Sequence, residues 1–246
     1  MIWVGVYLLG FVAYQLWFTN LLTARDQAAL AATLESRFAQ AEVQIVEYRP
    51  GGLSEAPPVS TDEAEPPEPG SKSAPDNDTE PDDVTNLLLK EGEGVLGEAF
   101  AQLRIPAIGL DVTLVEGVRR RDLKKGPGHL TGTPVPGQPG SSVISGHRTT
   151  YGAPFGSLNE LLPGDRIEVD TAIGTHIYEV REAPDRCRSE EGLCVVEPTG
   201  VWVTEPRAGA WLTLTTCHPK FSSRRRLIVF SELIDGPNVE AIRGSA

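Results

Sequence analysis

Residues 50–83 decide how the rest of the chain can fold. They hold eight prolines, no aromatic residue, and ten Asp or Glu against Lys72 alone, a net charge of −9. Such a stretch cannot bury enough apolar surface to offset the entropy of ordering it, so it reads as an extended, disordered linker. It also holds most of the formal charge of −12 carried by the 246 residues. From residue 98 onward there are 18 acidic and 17 basic residues, a net −1. An acidic chain of this kind argues against a nucleic-acid partner, which would need clustered Lys and Arg to displace counterions from phosphates.

On the N-terminal side of that segment no charged residue precedes Arg25. As a helix, residues 1–24 would extend about 36 Å at ~1.5 Å per residue, enough to cross a bilayer core. Trp3, Tyr14 and Trp17 are aromatics of the kind found at membrane interfaces. A cleavable signal peptide would show a basic start, a shorter apolar run and a small-residue cleavage site, and none is evident. An uncleaved transmembrane helix is therefore expected over 1–24; its length disfavours the alternative, a buried helix in a soluble fold. Leu30, Leu34, Phe38 and Ile45 recur at near-helical spacing, which predicts a helical juxtamembrane stalk over 25–49. The linker is expected to run over 50–94, and a folded domain over 95–246.

In that domain, short alternating or β-branched runs occur at 103–108, 111–118, 141–145, 166–170, 175–181, 201–204, 211–216 and 226–234. Pro and Gly punctuate the intervals, and residues 158–162 read as one short helical turn. The fold class is mainly β, a closed barrel or a sandwich.

Chemistry concentrates in two places. In 212–232, LTLTTCHPKFSSRRRLIVFSE, a β run ends at Cys217, and Pro219 forces the chain out of regular strand. Arg224, Arg225 and Arg226 then open the next run. A thiol at a strand end beside guanidinium groups has its thiolate favoured, which is how a nucleophilic cysteine is made; a buried structural cysteine before a solvated basic turn is the bland alternative. In 141–150, SSVISGHRTT, a β run passes through Gly146 into His147. Glycine suits a strand end where another group approaches closely. A Cys–His pair on separate strand ends is a usual arrangement for acyl transfer through a thioester. His218 competes for the role, but its place beside Cys217 makes it hard to turn both side chains into one pocket. His129 and His176 have no comparable setting.

The domain resembles the sortases, membrane-bound cysteine transpeptidases of mainly Gram-positive bacteria. Thr213, Leu214, Thr215, Thr216 and Cys217 match the family's TLxTC signature, an arginine opens the next strand, and a histidine lies about seventy residues upstream. The strings HLTGTPVPGQPGSSVISGHRTTYGAPF and TLTTCHPKFSSRRRLIVF are similar to class E sortases of actinobacteria. The resemblance implies a closed eight-stranded β-barrel. It implies Cys217 as nucleophile, His147 as general acid/base and Arg226 as the substrate-orienting, oxyanion-stabilising residue. Arg224 ranks second because alternation places it on the same face, while Arg225 should point away. Thr215 and Thr216 of the signature would border the substrate. The implied substrates are surface proteins bearing an LPxTG or LAxTG sorting motif, and the implied acceptor is the amine of lipid II. The implied location is the cell membrane, single-pass, with the domain outside the cytoplasm. No cofactor or metal is indicated. The rival is an anchored, non-catalytic β-barrel for surface binding or a pilus-like structure. In an exported domain, Cys187 and Cys194 are expected to form a disulfide that staples a polar loop and leaves Cys217 free.

Overall fold

A computed structural model describes residues 2–49, 86–190 and 193–244. Along them run α1 (Ile2–Gln40), β1 (Val43–Tyr48), β2 (Asn86–Glu91), β3 (Ala99–Ile105), β4 (Leu110–Glu116) and α2 (Arg120–Leu123). Then follow β5 (Gly128–His129), β6 (Gly140–Ser145), β7 (Arg166–Thr171), β8 (Gly174–Val180), β9 (Arg188–Glu190) and β10 (Leu193–Val196). The chain ends with β11 (Ala210–His218), β12 (Arg225–Asp235) and α3 (Val239–Arg243).

Strand pairing closes on itself. From β11 the order runs through β6, β5, β4, β3, β7 and β8 to β12, which pairs back with β11, so eight strands form a closed barrel with no free edge between them. Strands β10 and β9 attach outside this ring, on the first residues of β12, where Cys194 faces Ile228 and Val196 faces Arg226. Period-two alternation sorts side chains between the two faces. Leu212 and Leu214, Leu227 and Val229, Ile144, Leu103, Ile105 and Tyr178 fill the interior together with Phe155. Each buried aliphatic of this kind contributes roughly 1.5–3 kcal/mol. Ile228 and Phe230 point the other way and pack under Cys194 and Val203 in a second, outer cluster.

Four expectations change. Residues 201–204 form a short 3-10 turn rather than a strand. Pro198 and Gly200 before it and Pro206 after it leave no length for a strand, and the turn still buries Val203. The barrel's eighth member is β5, two residues long and without any pattern of its own, placed by pairing with β4 and β6. Residues 43–48, expected as helix, form β1, antiparallel to β2 from Val43↔Glu91 to Tyr48↔Asn86. The β-branched residues of VQIVEY favour this pairing over helix. β2 in turn takes residues expected to be linker. Its Leu88 enters the barrel core, and the Asn238 side chain accepts the Leu89 N–H (2.9 Å) and donates to the Leu89 and Gly137 carbonyls (2.8 and 3.0 Å). The β1–β2 pair holds residues 48 and 86 side by side, so the acidic segment leaves and returns at one place instead of tethering a helix to a remote domain. Residues 50–85, and the disorder expected of them, lie outside the described residues.

Helix α1 is continuous over 39 residues. Its second half lies on the barrel. Leu30, Leu34 and Phe38 pack with Ala99. Gln27 donates to the carbonyls of Thr113 and Lys125 (both 2.9 Å) and accepts the Thr113 N–H (2.8 Å). Arg37 pairs with the buried Glu91 at 3.2 Å. In the first half Trp3, Val4, Tyr7 and Phe11 are exposed. Among the described residues no helix is long and apolar enough to cross a membrane, so the structure gives the expected spanning anchor no support of its own.

Candidate active site

Parallel pairing of β6 and β11 sends both chains out at the same end of the barrel. The register runs from Ala210↔Gly140 to Thr215↔Ser145, and two further bonds extend it. The Gly146 N–H donates to the Thr215 carbonyl (3.1 Å), and the Thr216 hydroxyl donates to the Gly146 carbonyl (2.8 Å). His147 and Cys217, each the next residue along, therefore leave neighbouring strand ends. Cys217 is half-buried, with a free thiol. It has the same parity as Thr213 and Thr215, opposite to the core residues Leu212 and Leu214, so it belongs to the outer face of the barrel.

The antiparallel register of β11 with β12 places Arg226 directly across from Cys217 and Arg225 across from His218. Opposed residues on one face of such a pair have Cβ atoms about 5 Å apart. Arg226 thus shares the face of the cysteine, and Arg225 has the other parity. The Arg226 guanidinium donates to the carbonyls of Ser223 (2.9 Å) and Arg225 (3.0 Å). Arg224 precedes the strand and is exposed. The chain between the strands passes through a cis His218–Pro219 peptide, and Phe221 at its tip is exposed.

Two neighbours had no signal of their own in the sequence. Arg148, buried, ties the two halves of the site together: it donates to the Cys217 carbonyl (3.2 Å), to Nδ1 of His218 (2.7 Å) and to Oδ1 of Asn159 (3.0 Å). This occupies one ring nitrogen of His218, the competing histidine. Tyr151 packs its ring on His147 with centroids 4.9 Å apart. The Arg148 position was visible only as a basic residue after the histidine, and Tyr151 as one aromatic among polar neighbours. Burial, and secondarily the positive charge of Arg120, hold the His147 pKa below that of an ordinary imidazole. Its Nε2 is buried and has no hydrogen-bond partner among the described residues.

Gly146 is explained by its neighbour. A Cβ there would stand 2.6 Å from the Phe155 ring, whose backbone N–H donates to the His147 carbonyl (3.0 Å). The close approach that the glycine suggested comes from this buried phenyl ring. On the outer face beyond Ile228, Cys187 and Cys194 are joined as a disulfide across the β9–β10 excursion.

These positions fall within a stretch that matches the sortase domain over residues 103–234. The chain is 28% identical to Sortase SrtE1 of Streptomyces coelicolor over 94% of its own length and 54% of that protein's, so it spans about half of this relative. Against Sortase D of Bacillus subtilis it is 31% identical, over 50% of this chain and 56% of that one. Among solved structures, sortase E from Streptomyces avermitilis is 34% identical with a TM-score of 0.50, covering 58% of this chain and 91% of that chain. Sortase E1 from S. coelicolor with a tripeptide in its active site is 31% identical with a TM-score of 0.50, covering 56% of this chain and 90% of that chain. The signature at the end of β11, the barrel that carries it and the matched span agree: this chain belongs to the sortase family, and within it is similar to the class E members of Streptomyces.

Proposed function

We propose that the chain is a cysteine transpeptidase that cleaves a C-terminal sorting motif of the LPxTG or LAxTG type between Thr and Gly and passes the acyl group to the amine of lipid II. The observation that carries this reading is the arrival of Cys217 and His147 at adjacent ends of parallel strands, with Arg226 across from the cysteine. The Cys217 thiolate attacks the Thr carbonyl, and Arg226 supplies positive charge for the oxyanion that forms. As the C–N bond breaks, protonated His147 gives its proton to the departing glycine nitrogen. The incoming amine then attacks the thioester, neutral His147 takes the amine's proton, and the thiolate leaves. Thr215 and Thr216 border the substrate and, with Arg148, fix the backbone on which the nucleophile stands. Arg224, exposed just ahead of β12, is the second arginine available to the substrate. A tripeptide in the active site of the S. coelicolor relative is the class of ligand this reading requires.

In the same reading the exposed apolar half of α1 inserts in the membrane and holds the domain outside the cytoplasm. The partners are sorting-motif surface proteins, lipid II and the bilayer. The test is to incubate the full chain with LPxTG and LAxTG peptides and an amine acceptor. Cleavage between Thr and Gly with transfer to the amine is expected, abolished in Cys217→Ala and reduced about 10²–10⁴-fold in His147→Ala, the range removal of a general acid/base costs. Intact peptide for both motifs with several acceptors would instead indicate a barrel that only binds or displays.

A further inference from the structure

The junction between the two halves of α1 brings a basic segment to the edge of the active site. Asn20 and Thr23 of α1 hydrogen-bond to the barrel domain. Asn20 accepts the Gly152 N–H (3.0 Å), and Thr23 donates to the Lys124 carbonyl (3.1 Å). One partner is the loop that carries Tyr151 over His147; the other is the turn just after α2. That turn reads RRRDLKK over residues 119–125, five cations and one acid. Asp122, buried, engages Arg119 (2.6 Å) and Arg121 (3.8 Å), and Lys125 donates to the Gly97 carbonyl. Arg120 and Lys124 are exposed and pair with no carboxylate among the described residues. Lys124 lies over the Tyr151 ring, 5.7 Å from its centroid.

This cationic edge is positioned by the helix. N-terminal to Asn20, α1 exposes Phe11, Tyr7 and Trp3 along about 25 Å of helix at ~1.5 Å per residue. Thr23 and Gln27, one turn apart on the same face of α1, hold the helix to the carbonyls of Lys124 and Lys125. An apolar rod that meets cations where it enters a domain has the order of layers of a membrane interface: hydrocarbon, then anionic headgroups, then protein.

We propose that Arg120, Arg121 and Lys124 form a surface that binds anionic phospholipid headgroups and holds the mouth of the His147–Cys217 site against the bilayer. The inference rests on the reading that the apolar half of α1 inserts in the membrane. It adds a second, electrostatic contact, which insertion alone does not require. Its consequence for the reaction is placement: an acceptor amine carried on a lipid is presented within the layer the site faces.

The test uses the full chain in nanodiscs of phosphatidylcholine, with or without phosphatidylglycerol, and reads amide hydrogen exchange over residues 119–125 and 150–153. Exchange is expected to slow about fivefold or more when phosphatidylglycerol is present, the factor that one cation at an anionic surface supplies. The slowing should vanish at about 0.5 M salt. It should also vanish in Arg120→Gln combined with Lys124→Gln, and persist in Arg120→Lys. Equal exchange in the two lipid compositions, with the chain incorporated in both, overturns the proposal and leaves insertion standing. Failure of the chain to enter nanodiscs overturns both. Slowing that is the same without phosphatidylglycerol and disappears when residues 50–83 are deleted assigns the basic edge to the chain's own acidic segment, and also overturns the proposal.

Discussion

At Gly146 a single missing Cβ lets a buried phenyl ring lie against the strand end that delivers His147. Gly146→Ala would put a methyl carbon 2.6 Å from Phe155, and because the ring is buried the backbone must yield. Overpacking of this kind costs about 1–3 kcal/mol. We expect a lower Tm and, because the His147 backbone moves with Phe155, a larger loss in kcat than in KM for sorting-peptide transfer. An unchanged kcat at a lowered Tm would reduce Phe155 to packing alone. His147 itself yields a prediction with a sign. Burial and Arg120 both depress its pKa, so removing the guanidinium raises it. In Arg120→Gln the acidic limb of kcat/KM against pH should move to higher pH, and a limb that stays put would remove Arg120 from the electrostatics of the site. At this scale the sequence was most legible in position: Cys217 and His147 stand at the strand ends, and Arg226 at the strand start, where the β runs place them. It was least legible at Arg148, Tyr151 and Asn159, because an arginine that will be buried looks in sequence like one that will be solvated.

Among the elements, those that a pattern could announce are the ones that bury one face against the core by alternation. β7, β8, β11 and β12 follow that rule and were legible almost to their ends. β5 was not, since two residues contain no period; β4 and β6 create it. The run at 201–204 shows the reverse error, a β-branched and aromatic string too short between prolines to extend, which buries Val203 from a 3-10 turn instead. β2 depends on distant side chains, Asn238 and Gln138 at Leu89 and Arg37 at Glu91. Asn238, buried beside α3, satisfies the N–H and C=O of Leu89 together, and no local signal at residues 86–91 refers to it. Asn238→Ala would leave the Leu89 N–H and the Gly137 carbonyl without that partner, while the Leu89 carbonyl keeps the Gln138 side chain (2.7 Å), at about 1–3 kcal/mol for each group left buried and unsatisfied. The expected outcome is a Tm drop accompanied by fast amide exchange confined to β1 and β2, with β11 and β6 still protected. Exchange that accelerates evenly throughout would mean that the β1–β2 pair and the barrel unfold as one unit.

For the whole molecule, net charge is a poor guide to pH response, because nine of the twelve net negative charges fall in residues 50–83, a stretch of sequence without a histidine or a cysteine. What governs the response is buried groups in the barrel wall. His176 on β8 is fully buried; its Nε2 meets the Thr171 hydroxyl (3.1 Å), and the ring lies against Gly137, where a Cβ would come within 2.1 Å. Burial lowers its pKa to about 4, against a smaller opposing pull from Asp170. The folded state therefore refuses a proton that the unfolded chain accepts below about 6.5. The histidine's contribution to stability is complete above that pH and is lost as pH falls toward 4, by roughly 3 kcal/mol for a shift of this size. Glu91 acts in the opposite sense, since burial raises its pKa and its protonation on acidification favours the folded state. The slope of the intact protein mixes the two, but the difference between it and His176→Gln isolates the histidine. Unfolding free energies from denaturant titrations at several pH values between 7 and 4 should converge for the two proteins as pH falls, with the intact protein the more stable at pH 7. A constant gap across that range would show that His176 matters through its packing against Gly137 and not through its proton.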